Sequence, residues 1–360
     1  MQEALKDSHP YVREVAVLGV LKCHKQDEDK TESVGLIDEV KYMLRTDTDT
    51  QVLANCLYVL QQLQGLSQSV LTRQLLISFL NNIRSFSEWG QCLLIDLCLR
   101  YYRPTSESER FDVLEVLDFG LNHTNSAVIL ATAKLFLHFT SNYKEEYDKV
   151  ISIITGPLRT LMTGREPEIV FAVLCNVRIL AERHPDHFYF MAADFFYRPE
   201  DPSYLKLLKL DMLVTLSFSG NGFDTAEEVF QYARDRNDDV ARHAVRSIAR
   251  IAMKIEHVDG VLDRLLIFLG HRRNILVGQT IVAFAEALNV FPAAAEVCVP
   301  SVLKVELSCL ETQESKSAFL WILGQFGELE QEAPYTLEEM VESFQEASNQ
   351  VKLVSLVLSG

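Results

Sequence analysis

"DSHPYVREVAVLGVLK", residues 7–22, runs from a turn cluster through a proline into an apolar helical stretch. Val12, Val15, Ala16, Gly19, Val20 and Cys23 fall at i, i+3, i+4, i+7, i+8 and i+11, which is one apolar face of an α-helix. Segments of the same shape return until the chain ends. Aligned on Val12, they bring Val52, Gly90, Val128, Ile169, Leu205, Val240, Val277, Ser317 and Val351 to the same position, 34 to 41 residues apart. A loose period of that length predicts a stacked repeat array.

Between these segments lie second helical runs, among them "VGLIDEVKYMLR", "SVLTRQLLISFLNNI", "ERFDVLEVLDFGL" and "TAEEVFQYARD". Each repeat therefore reads as a helix hairpin. The prolines, Pro157 and Pro300 included, are expected at the joints, because a proline fits a first helical turn and breaks an interior. No stretch shows period-2 alternation bounded by turns, so no sheet is expected. A single hairpin cannot bury its own apolar face, whereas stacked neighbours do so jointly. The expected fold is all-α: an α-solenoid of HEAT/armadillo-like hairpins, about ten units over residues 1–360. Asp7 and Arg13 suit the D-x-x-x-x-[VR] pattern of HEAT repeats, in which acid and base tie neighbouring repeats together. Arg13 is thus expected to be structural.

The 360 residues are 48% hydrophobic, enough for a large core, and no apolar run approaches the length of a membrane span. The opening "MQEALKDSHP" lacks a basic region followed by an apolar block, which predicts a cytosolic address without a signal peptide. A net charge of −16 argues against a general nucleic-acid binder. Seven scattered cysteines without a C-x-x-C read as free thiols in helix cores; Cys92 and Cys98 fall on different faces of one helix. No nucleophile elbow, P-loop, dinucleotide fingerprint or H-E-x-x-H is present. His184 and His187 in "HPDH" lack a third ligand nearby in sequence and read as polar residues at a helix start. The carboxylates of "KQDEDKTE" and "RTDTDTQ" read as solvated loops. No enzyme activity, cofactor or metal is expected.

One feature stands out against the acidic background. In "ARHAVRSIARIAMK", Arg242, Arg246, Arg250 and Lys254 are spaced by four, and each such step turns about 40° around a helix. They form a slowly drifting basic stripe, opposite Val240, Ala244, Ile248, Ile251 and Ile255. The stripe reads either as a solvated face or as a docking surface for an acidic partner or a neighbouring subunit. "HRRN", 271–274, is a second basic spot at a loop, and the aromatic-rich "HFYFMAADFFYRPEDPSY" reads as solenoid core.

The chain resembles the trunk of β-adaptins, the large subunits of heterotetrameric adaptor complexes, over essentially its whole length. "DSHPYVREVAVLGVLKCHK", "DPSYLKLLKLDMLVTL", "DDVARHAVRSIARIAMKIE" and "SAFLWILGQFGE" carry the likeness. "EWGQCLLIDLCLRYYRP", "FDVLEVLDFGL", "FAVLCNVRIL" and "APYTLEEMVESF" look most like the branch found in the fourth adaptor complex. The resemblance implies a curved superhelical trunk that assembles with a second large chain, a medium chain and a small chain. It implies recruitment to the trans-Golgi network by an ARF-class GTPase, peripheral membrane association through the complex, and clathrin-independent cargo sorting. It also implies further amino-terminal helices, a hinge and an appendage beyond this sequence. The array would then have cut ends, with Val12, Val15, Leu353 and Leu356 uncovered and poor solution behaviour for the chain alone. HEAT-repeat scaffolds of another class, a nuclear transport receptor or a phosphatase scaffold, share the periodicity but not these phrases.

Overall fold

The computed structural model describes residues 1–27, 35–63, 66, 70–255 and 258–342, and none of these lies in a strand. Two compact units divide the chain, Met1–Leu161 and Met162–Gly360. The first carries α1 (Gln2–Leu5), α2 (Pro10–Gln26), α3 (Leu36–Thr46), α4 (Thr50–Gln62) and α5 (Arg73–Asn81). It continues with α6 (Glu88–Tyr101), α7 (Glu107–Leu117), α8 (Ser126–Thr140) and α9 (Lys144–Met162), whose last residue opens the second unit. Helices α2, α4, α6 and α8 pack side by side in that order, while α3, α5 and α7 lie against α4, α6 and α8. This is the hairpin stack that the period predicts.

The second unit repeats the plan. It contains α10 (Pro167–Arg183), α11 (Ser203–Leu216), α12 (Gly222–Tyr232), α13 (Asp238–Ala252) and α14 (Val258–Leu266). Then come α15 (Asn274–Val290), α16 (Ala295–Val302), α17 (Gln313–Phe326) and α18 (Ala333–Glu342). One row is formed by α10, α11, α13, α15 and α17, and the intervening elements cover it. Between α10 and α11 the cover is not an α-helix but a 3-10 segment, Tyr189–Phe195, which packs on α11. Phe188, Met191 and Phe195 are fully buried there, so the aromatic-rich stretch is mainly core.

The recurring position sits where neighbouring repeats meet. Val52, Val128, Leu205, Val240 and Val277 are all buried. In α10 the inward residue is Val170 rather than Ile169, and in α17 it is Ser315 rather than Ser317. Val12 and Val15 are 36% and 51% exposed, with Tyr11 and Leu18 beside them, as expected of an uncovered face. Leu353, Leu356 and the Val351 repeat lie outside the described residues. Two prolines depart from expectation: Pro157 lies inside α9 and Pro300 inside α16. Each removes one helical donor without ending its helix.

Caps recur with the same period. Asp49, Ser87, Asn125, Asn237 and Thr312 each accept a backbone N–H in the first turn of their helix, which answers the orphan donors of a helix start. Several also reach the previous repeat. Ser87 Oγ donates to Gln51 (3.2 Å), Asn125 Nδ2 to Glu88 (2.6 Å) and Asn237 Nδ2 to Ser203 (3.0 Å).

Charged rungs then tie repeat to repeat. Arg13 grips Asp47 of the next hairpin in a two-pronged contact, 2.7 and 2.9 Å, and donates to the Asp7 carbonyl at 3.0 Å. Lys206 and Asp235 (2.8 Å) occupy the corresponding places in the second unit. Asp47 is therefore not a solvated loop carboxylate: its side chain is 7% exposed, and "RTDTDTQ" supplies both a rung and the Asp49 cap. "KQDEDKTE" lies partly outside the described residues.

A third rung joins Arg73, Tyr102 and Glu109, whose carboxylate also accepts the N–H and hydroxyl of Thr105, both at 2.9 Å. Burial would raise the Glu109 carboxyl, but these hydrogen bonds bring it down to about 2 from an ordinary 4.5. A carboxylate depressed on folding adds stability above its unfolded pKa and loses it as pH falls through the folded one. The urea midpoint should therefore drop between pH 4.5 and about 2, and Glu109→Gln should flatten that drop. Parallel pH profiles for the two proteins would contradict the assignment.

Candidate subunit interface

Arg242, Arg246 and Arg250 of the basic stripe lie on α13, while Lys254 falls in the turn after it; on the other side Val240, Ala244, Ile248, Ile251 and, past the helix, Ile255 are buried. Asn237 caps the helix, with Asp238 and Asp239 in the first turn and Arg250 in the last, an arrangement that suits the helix dipole. Helices α11 and α15 flank it, and α17 packs on α15. The approach of α17 is close. A Cβ on Gly278 would stand 3.0 Å from that of Ser315, and this packing brings Glu314 within reach of α13.

Every member of the stripe has a partner within the chain. Arg242 pairs with Asp239 one turn back. Arg246 bonds to Glu286 on α15 and lies 3.7 Å from Glu314 on α17. Arg250 lies 4.0 Å from Glu286. Lys254 donates to the Val214 and Thr215 carbonyls at 2.6 and 3.2 Å, closing the carboxyl end of α11. Beside the stripe, His243 Nε2 meets Asp211 of α11 at 2.8 Å. Burial would raise Asp211, yet the His243 hydrogen bond and the charges of Arg250 and Arg178 hold it below the usual carboxylate range. The arginine side chains remain about a third exposed, at 34 to 39%. The stripe is thus a half-buried ion-pair network across three successive repeats, with its outer edge open to solvent.

The carboxylates that meet the stripe escaped sequence reasoning. Glu286 had a signal: it is the lone charged residue in α15, "NILVGQTIVAFAEALNV". A single carboxylate in so apolar a helix needs a cation, and the nearest arginine-rich helix is one repeat upstream. "HRRN" is likewise a junction. Arg273 donates to the Asp235 carbonyl at 2.9 Å and pairs with Asp238, while Asn274 donates to Glu311 at 3.0 Å.

The remaining candidates are placed plainly. The rings of His184 and His187 stand 6.5 Å apart at the end of α10, and no cluster of His, Cys, Asp and Glu suited to a metal ion occurs among the described residues. Cys98 is buried and Cys92 half-buried; burial pushes the thiols of Cys56 and Cys98 up to about 12. Among the described residues no helix is long and apolar enough to cross a membrane.

A hairpin stack, periodic caps and acid–base rungs define a helical-repeat scaffold. The chain belongs to the adaptin family, matching the Adaptin N terminal region over residues 1–359. It is 32% identical to beta-adaptin-like protein A of Arabidopsis thaliana over 95% of this chain and 42% of that protein. It is 31% identical to mouse AP-4 complex subunit beta-1, over 94% and 45%. With human AP-1 complex subunit beta-1 the figures are 29%, 98% and 38%. The chain thus spans roughly two-fifths of the length of these relatives. Among solved structures, a triple mutant of the karyopherin Kap121p superposes with a TM-score of 0.60 at 12% identity, covering 99% of this chain and 43% of that one. That likeness confirms the helical-repeat fold.

Proposed function

We propose that this chain is part of the β trunk of an adaptor complex of the fourth class. It scaffolds a coat that sorts transmembrane cargo, independently of clathrin, at the cytosolic face of the trans-Golgi network. Its partners in this reading are a second large chain, a medium chain and a small chain, with an ARF-class GTPase bringing the complex to the membrane. The family match over residues 1–359 carries the adaptor reading. The phrases "FAVLCNVRIL" and "APYTLEEMVESF", together with the AP-4 relative, support the choice of class. The role needs no chemistry. Rungs such as Arg13–Asp47 and Lys206–Asp235 hold neighbouring repeats together while partners load onto them.

Within this reading the α13 stripe contacts the amino-terminal domain of the medium chain. Its outer edge is exposed, and guanidinium groups already paired on one side still offer donors to a second carboxylate. Arg246→Glu with Arg250→Glu should weaken assembly with the medium chain while leaving helical content intact. Within the chain these half-exposed pairs contribute only about 0 to 1 kcal/mol each. A desolvated contact between subunits costs about 2 to 5 kcal/mol when one partner is truncated. Adding Glu286→Arg to this double variant restores an internal pair without restoring the outer cations. If that swap also restores assembly on co-expression, the stripe is a structural network only. Co-expression with medium chains of different adaptor classes tests the class: preference for the fourth is expected, and equal or better recovery with another refutes it.

A further inference from the structure

The second unit holds a cleft of about 330 Å³ between the loop before α10, the loop before α11 and the first turns of both helices. Its floor is apolar, from Met162, Val170 and Leu205, all buried. Its wall carries Arg165, Arg198 and Lys209, together with Glu200 and Asp201. These charges are not equivalent. Lys209, 7% exposed at its side chain, is bound to Asp201 at 2.6 Å, and the same carboxylate oxygen accepts the Arg198 N–H at 2.8 Å. Asp201 therefore neutralises the buried ammonium and fixes the loop. Arg165 and Arg198 are exposed, and among the described residues no carboxylate pairs with either; the Arg198 guanidinium makes one long contact, 3.5 Å, to the Thr163 carbonyl. Elsewhere Arg13, Arg73, Arg110, Arg246, Arg264 and Arg273 each end on an acid. Pro167, on the cleft wall, opens α10, whose start is already met by acid, Glu166 at the N-cap and Glu168 in the first turn, so the groups left to seek an anion are the two uncommitted guanidinium groups.

We propose that this cleft binds a phosphate monoester carried on an apolar or aromatic body, presented by a phosphorylated side chain of a partner protein. Two planar guanidinium forks suit a dianion, whereas a single carboxylate would be met by one fork. The apolar floor gives the body of the side chain a place that a bare phosphate would leave empty. Glu200 on the rim, with Glu166 and Glu168 at the start of α10, disfavours further negative charge, so the fit is to one phosphate rather than to an acidic run.

The test is a calorimetric titration of the full chain with phenyl phosphate and, separately, with inorganic phosphate at fixed ionic strength. Phenyl phosphate should bind at one saturable site about tenfold more tightly than inorganic phosphate. Arg165→Ala and Arg198→Ala should each weaken it by about fivefold or more, with unchanged circular dichroism. Arg183→Ala, at the other end of α10, should leave it unchanged. Equal, weak binding of both ligands, or arginine variants that bind phenyl phosphate like the parent, would overturn the proposal. So would loss of binding to phosphoinositide vesicles in the same variants without any phenyl phosphate site, which would assign the cleft to a membrane.

Discussion

Arg110→Ala lowers the unfolding free energy of the first unit by about 3 kcal/mol, the low end of the cost of breaking a buried ion pair. Arg110 is 4% exposed, although it is among the most polar side chains in the sequence. It reaches from α7 to Glu146 at the start of α9 with two hydrogen bonds, 3.1 and 2.9 Å. Its guanidinium also lies over the Tyr143 ring, 3.8 Å from the centroid. Alanine removes the pair, the ring contact and the packed stem, and strands a carboxylate that is only 20% exposed. The urea transition, followed by circular dichroism, measures the loss. Arg110→Met with Glu146→Gln should recover much of it, because no uncompensated charge is then left in the repeat junction. A loss under about 1 kcal/mol would mean that the rung behaves as a surface pair.

Asp235→Ala has the second large effect, about 3 to 5 kcal/mol in the second unit. Its carboxylate gathers Lys206 (2.8 Å), the Tyr197 hydroxyl (3.0 Å) and the Asn237 N–H (2.9 Å). Lys206 is 8% exposed and among the described residues has no other acid, so alanine leaves an ammonium facing a stacked Tyr197–Tyr232 pair. Asp235→Asn keeps an acceptor for Tyr197 and should cost less. Burial would raise Asp235, but the hydrogen bonds from Lys206, Asn237 and Tyr197 hold it below its ordinary 3.8. Its contribution is therefore present at neutral pH and fades in acid below that value. The gap between wild type and Asp235→Ala should narrow as pH falls, and a gap independent of pH would contradict the rung.

The repeat was readable because hydrophobic burial leaves a periodic trace. Val52, Val128, Val240 and Val277 are apolar for the same reason at each junction, and the caps Asp49, Asn125 and Asn237 stand three residues before theirs. Arg13 was readable as a tie between repeats, but its partner proved to be Asp47, in the hairpin after its own. The replacement of a helix by a 3-10 segment at Tyr189–Phe195 left no comparable trace, since its buried aromatics look like those of a helix. The stripe was half-readable. Spacing by four put three arginines on one side of α13, but Lys254 falls past its end, and Glu286 and Glu314 meet the arginines only through the packing of later repeats. Pro157 and Pro300 were misplaced because the hairpin joints were set by residue type alone.

The proposed role is that of an adaptor scaffold whose partners are the other subunits of one complex. Affinity purification of the tagged chain from its own cells, with the co-purifying chains quantified by mass spectrometry, tests it most directly. The account predicts one medium chain, one small chain and one second large chain of the fourth adaptor class in near-equal amounts. Recovery of nuclear transport cargo or of phosphatase subunits, with no adaptor chain above background, would contradict it.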